Sequence, residues 1–343
     1  MKAIVIHAAK DLRIEHRPTP TPGPGEVLVR MARGGVCGSD LHYYNHGGFG
    51  SIRLREPMIL GHEVSGHVAA MGPDVSGLSK GDLVAVSPSR PCYECSYCLE
   101  GAHQHCMKMR FYGSAMPFPH IQGAFSEYIV ADARQCAQAE GLTAEQAAVA
   151  EPLAVVLHAA KRAGSLLGKT VLVTGCGPIG QLSVLVARAA GAAKIVATDV
   201  TPFTLRKAQA VGADQVLNVA ECPDALRDYD TDKGQFDVLF ECSGLAVALA
   251  DAIPAMRPGA VIMQLGLGGD MQLPMQAITT KEIELRGSFR FHDAFFTAVT
   301  MMQAGRLDVT PLVTHQMPLD QASAAFELAA DRHQAIKVQI AFS

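Results

Sequence analysis

Four cysteines fall within fifteen residues, Cys92, Cys95, Cys98 and Cys106 of "CYECSYCLEGAHQHC", with spacing C-x2-C-x2-C-x7-C. Four thiolates on one short lobe can close a tetrahedral shell around zinc and leave no position for a substrate. Iron–sulfur clusters also take thiolates, but this run lacks the common cluster spacing, and zinc needs no redox partner. The expectation is a closed, structural zinc site.

A second constellation is scattered. It comprises Cys37, Ser39, Asp40 and His42 in "GGVCGSDLH", His62 and Glu63 in "GHEVSGH", and Glu151 in "AEPLAVVLHAA". One thiolate, one imidazole and one carboxylate make three ligands, and a fourth place is left for water or an alcohol. That open shell is what a catalytic zinc requires. Taken singly, each of these residues is more often a packed or surface side chain than a ligand; their sharing of one chain with the feature that follows shifts the balance.

The third chemical feature is "KTVLVTGCGPIGQLSVLVARAAGAAKIVATD", with Gly175, Gly177 and Gly180 in G-x-G-x-x-G after a predicted strand. Pro178 and Ile179 lie inside it, opening a predicted helix. The glycines allow a tight turn, close approach of a pyrophosphate to the backbone, and close helix–strand packing. Asp199 ends the next predicted strand, 19 residues past Gly180, where a carboxylate can accept hydrogen bonds from a ribose. Its charge repels a 2′-phosphate, so NAD is preferred. Arg206 and Lys207, a few residues on, leave NADP possible.

Elements of two textures must position these residues. Residues 1–150 hold short β-branched runs ("KAIVIH", "GEVLVRM", "GDLVAVSP") cut by glycine and proline turns, the pattern of a small bent β domain. Beyond about 150, apolar strands ("TVLVTG", "KIVATD", "QVLNV", "DVLFECSG", "AVIMQLG") alternate with helices at 179–190 and 203–211. This predicts a parallel sheet covered on both faces. "MRPGA" reads as a turn before the last of those strands. After about 290 come two helices, in "AFFTAVTMMQAG" and "LDQASAAFELAA", then a closing strand in "AIKVQIAF". The predicted organisation is a β domain over 1–153, an α/β domain over 154–289, and a tail, 290–343, that packs back on the first.

The bulk numbers narrow the partners. The 343 residues are enough for two or three domains with full cores, and composition is that of a globular protein, 49% hydrophobic and 18% charged. Net charge is −4 with no basic run, so neither nucleic acid nor an anionic membrane is an expected partner. No membrane span or export signal is recognised, and a dense cysteine cluster in a reducing compartment holds metal more often than disulfides. The expected location is the cytoplasm.

In the order "GGVCGSDLHYY", "GHEVSGHV", the four-cysteine lobe, "EPLAVVLHAA" and "GCGPIG", the chain resembles zinc-dependent medium-chain dehydrogenases/reductases over essentially its whole length. Its sorbitol-dehydrogenase-like branch fits best. The resemblance implies an α/β protein, a bent, GroES-like catalytic domain joined to a Rossmann doubly wound parallel sheet, with one catalytic and one structural zinc per chain. It makes Cys37 and His62 ligands of the catalytic zinc and Glu63 a ligand or close neighbour. It puts Glu151 where alcohol dehydrogenases carry a cysteine ligand and polyol dehydrogenases a glutamate. Which glutamate binds directly stays open.

By the same resemblance Asp40 orients His62, and Ser39 and His42 pass the alcohol proton outward through the cofactor ribose. The implied reaction is oxidation of a secondary alcohol, of a polyol or of a sugar acid such as L-idonate going to its 5-keto acid. Sorbitol, xylitol, threonine or a general alcohol is the alternative. Arg290, with its planar fork, is the candidate for a substrate carboxylate, with Tyr43, Arg110 and Phe118 as further substrate residues. A homodimer or homotetramer is implied.

Overall fold

The computed structural model describes residues 1–342. The chain forms two compact units. One takes Met1–Ala154, Phe291–Asp331 and the stretch from Lys337 onward; the other takes Val155–Arg290 and Arg332–Ile336.

In the first unit the turn-punctuated β runs fold into antiparallel sheets. The strand Glu26–Gly35 lies at the centre of a seven-stranded sheet, paired with Glu63–Met71, Tyr128–Asp132 and Lys337–Ala341. Register shifts at Leu28/Val29 and Met31/Arg33 bend it against Glu63–Met71, as bulges do by unpairing a residue and increasing local twist. Val27, Val29, Met31, Val64 and Val68 are buried within it. From the end of Glu26–Gly35 the chain enters the helix Gly38–His46. Cys37 is its N-cap, the Asp40 carboxylate accepts the Cys37 amide at 3.0 Å, and Gly47 closes it in the left-handed conformation (φ 66°).

The second unit is a six-stranded parallel sheet in the order Gln215–Asn218, Lys194–Asp199, Thr170–Thr174, Phe236–Glu241, Met256–Gln264, Glu284–Gly287. Strand order reverses at Thr170–Thr174, the doubly wound arrangement. "TVLVT" and "KIVATD" are buried almost without alternation, because helices cover both faces. Leu172, Val196, Leu239 and Ile262 are fully buried in this core.

Three elements differ from the sequence expectation. "MRPGA" is the start of the strand Met256–Gln264, whose register slips between Phe236 and Val238 of its neighbour. A sixth strand, Glu284–Gly287, extends the sheet past "AVIMQLG". Val313–Pro318 forms a further strand beside Lys337–Ala341.

Candidate active site

The two strands and the helix described above converge their ends. Gly35 faces Glu63 in the register of the central sheet, and Cys37 follows two residues later. One ligand atom each from Cys37, His62 and Glu63 lies within 4.8 Å of the others, with His62 and Glu63 buried. His62 Nδ1 is buried without a hydrogen-bond partner. Soft sulfur, borderline nitrogen and hard oxygen donors at this separation fit a zinc ion. Burial, then the Glu63 carboxylate, pushes the Cys37 thiol up to about 12, so a thiolate here, beside that carboxylate and a neutral His62 imidazole, calls for a cation.

Glu151, on the helix Ala150–Ala163, is also buried, and burial raises its carboxyl well above the usual range; His62 opposes this and Glu63 adds to it. It belongs to the same electrostatic cluster but lies outside the 4.8 Å group. Asp40 is fully buried and accepts the Gly61 amide at 3.1 Å besides that of Cys37. Its Oδ1 is 3.7 Å from His62 Nδ1, beyond hydrogen-bond length, so in this structure it orders the loop around His62 and makes no hydrogen bond to the ring. Ser39 Oγ is 3.4 Å from His62 Nε2. His42, one turn along the helix, is exposed and lies beside Phe49 and His46; desolvation, then His46, lowers its pKa.

Sequence reasoning missed Lys337. This buried lysine reaches in from the C-terminal strand, its Nζ 2.8 Å from the Glu63 carboxylate and 3.2 Å from the Val36 carbonyl. Burial works to lower its pKa, but Glu63 and then Cys37 outweigh it and hold the ammonium above its ordinary value. Lying 274 residues from Glu63, it carried no local signal. Phe111, whose ring stands 5.5 Å from that of His62, was likewise not singled out.

The substrate candidates land in varied settings. Tyr43 is buried and its hydroxyl accepts the Ala115 amide at 3.0 Å. Arg110 is exposed on the short strand Arg110–Phe111. Phe118 is 56% exposed with the Arg55 guanidinium 4.3 Å above its ring. Arg290 belongs to the other unit and has a left-handed backbone, φ 52°.

The four-cysteine lobe gathers as the spacing suggested. Cys106 Sγ is 3.5 Å from Cys92 Sγ, which is 4.0 Å from Cys98 Sγ, and the amides of Cys92 and Lys108 point at Cys106 sulfur. Backbone amides of Met107 and Cys98 lower the Cys95 thiol to about 6, while burial and the neighbouring sulfurs push Cys98 up to about 12. Four sulfurs crowded this closely, with amides directed at them, suit one closed metal shell.

In the second unit Gly175 (φ 82°) makes the turn after Thr170–Thr174, and Gly177 caps the helix Pro178–Ala189 with Pro178 in its first turn. A Cβ at Gly180 would stand 1.8 Å from the Gly175 carbonyl, so this glycine is what lets helix and loop touch. Ile179 lies in the helix's first turn, its carbonyl accepting Ser183 Oγ. The Asp199 carboxylate accepts the amides of Cys176, Val200 and Thr201 at 2.6–2.9 Å, which fixes it at the strand end. The glycine turn, the helix N-terminus that follows it with no side-chain cap, and the Asp199 carboxylate offer the donor end and the acceptor a dinucleotide needs.

A three-donor group that fits zinc in a bent β unit and a glycine-rich turn on a doubly wound sheet are the features of the zinc-dependent dehydrogenases. Residues 23–141 match the family model of the alcohol dehydrogenase GroES-like domain and residues 178–304 that of the zinc-binding dehydrogenase. The chain belongs to this family, the zinc- and NAD(P)-dependent alcohol and polyol dehydrogenases. Among its relatives, L-idonate 5-dehydrogenase (NAD(P)+) of Escherichia coli K12 is 43% identical over 318 residues, 92% of each chain. Human sorbitol dehydrogenase is 38% identical over 330 residues, 95% of this chain and 91% of that protein. The crystal structure of the Escherichia coli L-idonate 5-dehydrogenase superposes with a TM-score of 0.95 at 40% identity, covering 99% of this chain and 97% of that one. Among the described residues, no helix is long and apolar enough to cross a membrane.

Proposed function

We propose that this protein oxidises the C5 hydroxyl of L-idonate to the 5-keto acid, prefers NAD to NADP, and holds two zinc ions per chain. The supporting observation is the group of Cys37, His62 and Glu63, the last two buried, three close donors where a closed structural site has four. The 43% identity to an L-idonate 5-dehydrogenase over nine-tenths of the chain supports the substrate.

A bound zinc supplies Lewis acidity that makes an alcohol proton easy to remove, and nicotinamide supplies the hydride acceptor. The chain's residues do the rest. Cys37, His62 and Glu63 hold the metal, and Lys337 neutralises Glu63 so that the site carries less negative charge than its donors alone would give. Ser39, within 3.4 Å of His62, receives the hydroxyl proton, and His42, exposed on the same helix, releases it to solvent. Imidazole suits that last step because its pKa lies near working pH. Arg290 offers a fork for the substrate carboxylate. Cys92, Cys95, Cys98 and Cys106 take no part and brace their lobe around the second zinc. In the second unit Asp199 favours the unphosphorylated ribose of NAD. Subunits associate as a homodimer or homotetramer.

The polyol reading has support of its own in the 38% identity to human sorbitol dehydrogenase. A panel of L-idonate, sorbitol, xylitol and threonine, each with NAD+ and NADP+, separates the two. L-Idonate with NAD+ is expected to give the highest kcat/KM. A polyol exceeding it overturns the sugar-acid assignment.

A further inference from the structure

The dinucleotide unit contains a buried carboxylate that no motif predicts. Glu241 ends the strand Phe236–Glu241 and is 0% exposed. Its Oε1 accepts the Ser243 amide at 2.8 Å, the Ser243 hydroxyl, the Gly244 amide at 3.1 Å and the Thr174 hydroxyl at 3.4 Å. Its Oε2 accepts Gln264 Nε2 at 2.7 Å and the Gly244 amide at 3.1 Å. The Glu241 carbonyl takes the amides of Leu265 and Gly266, each at 2.9 Å. A buried carboxylate is tolerated when donors surround it, and charge-assisted hydrogen bonds are the strong ones.

These bonds tie together three strand ends: Thr174, the loop Cys242–Gly244 and the loop Leu265–Gly268. The loops are packed backbone to backbone. A Cβ at Gly266 would meet the Gly244 amide at 2.1 Å, one at Gly268 would meet the Gly244 carbonyl at 1.6 Å, and one at Gly175 would meet Ser243 Cα at 2.9 Å. Glu241 thus holds Ser243 against the first glycine of the phosphate loop.

Doubly wound sheets take a dinucleotide beyond the carboxyl ends of their strands, one mononucleotide half on each side of the order reversal. Asp199 marks the adenosine side. The nicotinamide half therefore falls at the ends of Phe236–Glu241 and Met256–Gln264, where the two tied loops are. We propose that Glu241 is a positioning residue that shapes these loops for the nicotinamide half of the cofactor. The proposal rests on the assignment of this unit to NAD(P).

The test compares binding of NADH, by fluorescence titration, with that of 5′-AMP, by calorimetry. In Glu241→Gln an amide NH2 replaces an acceptor that faces several donors. The NADH Kd is expected to rise about tenfold or more, with that of AMP within about twofold. Gln264→Ala removes one donor and leaves the carboxylate, and it shifts NADH alone by a smaller factor. Wild-type NADH affinity in Glu241→Gln overturns the proposal. If that variant loses AMP as well, Gln264→Ala decides: selective loss of NADH supports the proposal and unchanged NADH binding overturns it. Wild-type protein failing to bind NADH overturns the cofactor assignment instead.

Discussion

At the residue scale, Glu63 stands between two groups: its carboxylate lies in the three-donor group with Cys37 and His62, where we propose it holds zinc, and it is the anion that keeps Lys337 charged in the interior. Removing one partner of a buried ion pair leaves an uncompensated charge, at a cost of about 3–5 kcal/mol, whereas removing both is milder. Lys337→Met is therefore expected to lower Tm by about 6 °C or more, at 2–4 °C per kcal/mol for a unit of this size. The double variant Glu63→Gln/Lys337→Met should recover much of that. Thermal unfolding measures both. A single variant as stable as wild type would mean that Lys337 does not compensate Glu63. Of these residues, Cys37, His62 and Glu63 were legible in sequence because short motifs carry them. Lys337 and Glu241 were not, since their partners come from distant strands or from loop backbone without a residue signature.

At the element scale, the four-cysteine lobe is packed through rings. His103, between the third and fourth cysteines, stacks on His292 with centroids 4.0 Å apart. Tyr93 lies against both, Arg134 caps Tyr93, and the Asp293 carboxylate is 3.9 Å from the His292 ring. Burial, then His103, holds the His292 pKa below 6.5, and Asp293 only partly opposes them. The folded state thus binds this proton less well than the unfolded one. The stability owed to neutral His292 is complete above pH 6.5 and is lost as pH falls through its depressed folded value. His292→Phe should flatten the acid side of the Tm–pH curve between pH 7 and 5. Parallel curves for the two proteins would contradict the depressed pKa. Strong elements such as "TVLVT" were legible because unalternating apolar runs signal a buried strand. The strand Glu284–Gly287 was not, because four residues carry too little periodicity, and Val313–Pro318 was not, because "VTHQMP" holds polar residues and a proline.

For the whole molecule, the sequence separated a loud motif from a quiet one. The four-cysteine lobe was legible from spacing alone, whereas the short motifs of Cys37, His62 and Glu63 pointed to one proposed zinc site once they were taken together with a dinucleotide loop on the same chain. The fold then brings Cys37, His62 and Glu63 together through strand register. Under the proposed function the two metal sites are independent in role. Zinc content per chain, with L-idonate oxidation by NAD+ read on the same samples, tests this most directly in wild type and in Cys37→Ser. Wild type is expected to hold two zinc ions and turn over; Cys37→Ser should hold one, in the intact four-cysteine lobe, and show no turnover. A Cys37→Ser protein that keeps its activity or both zinc ions would contradict the account.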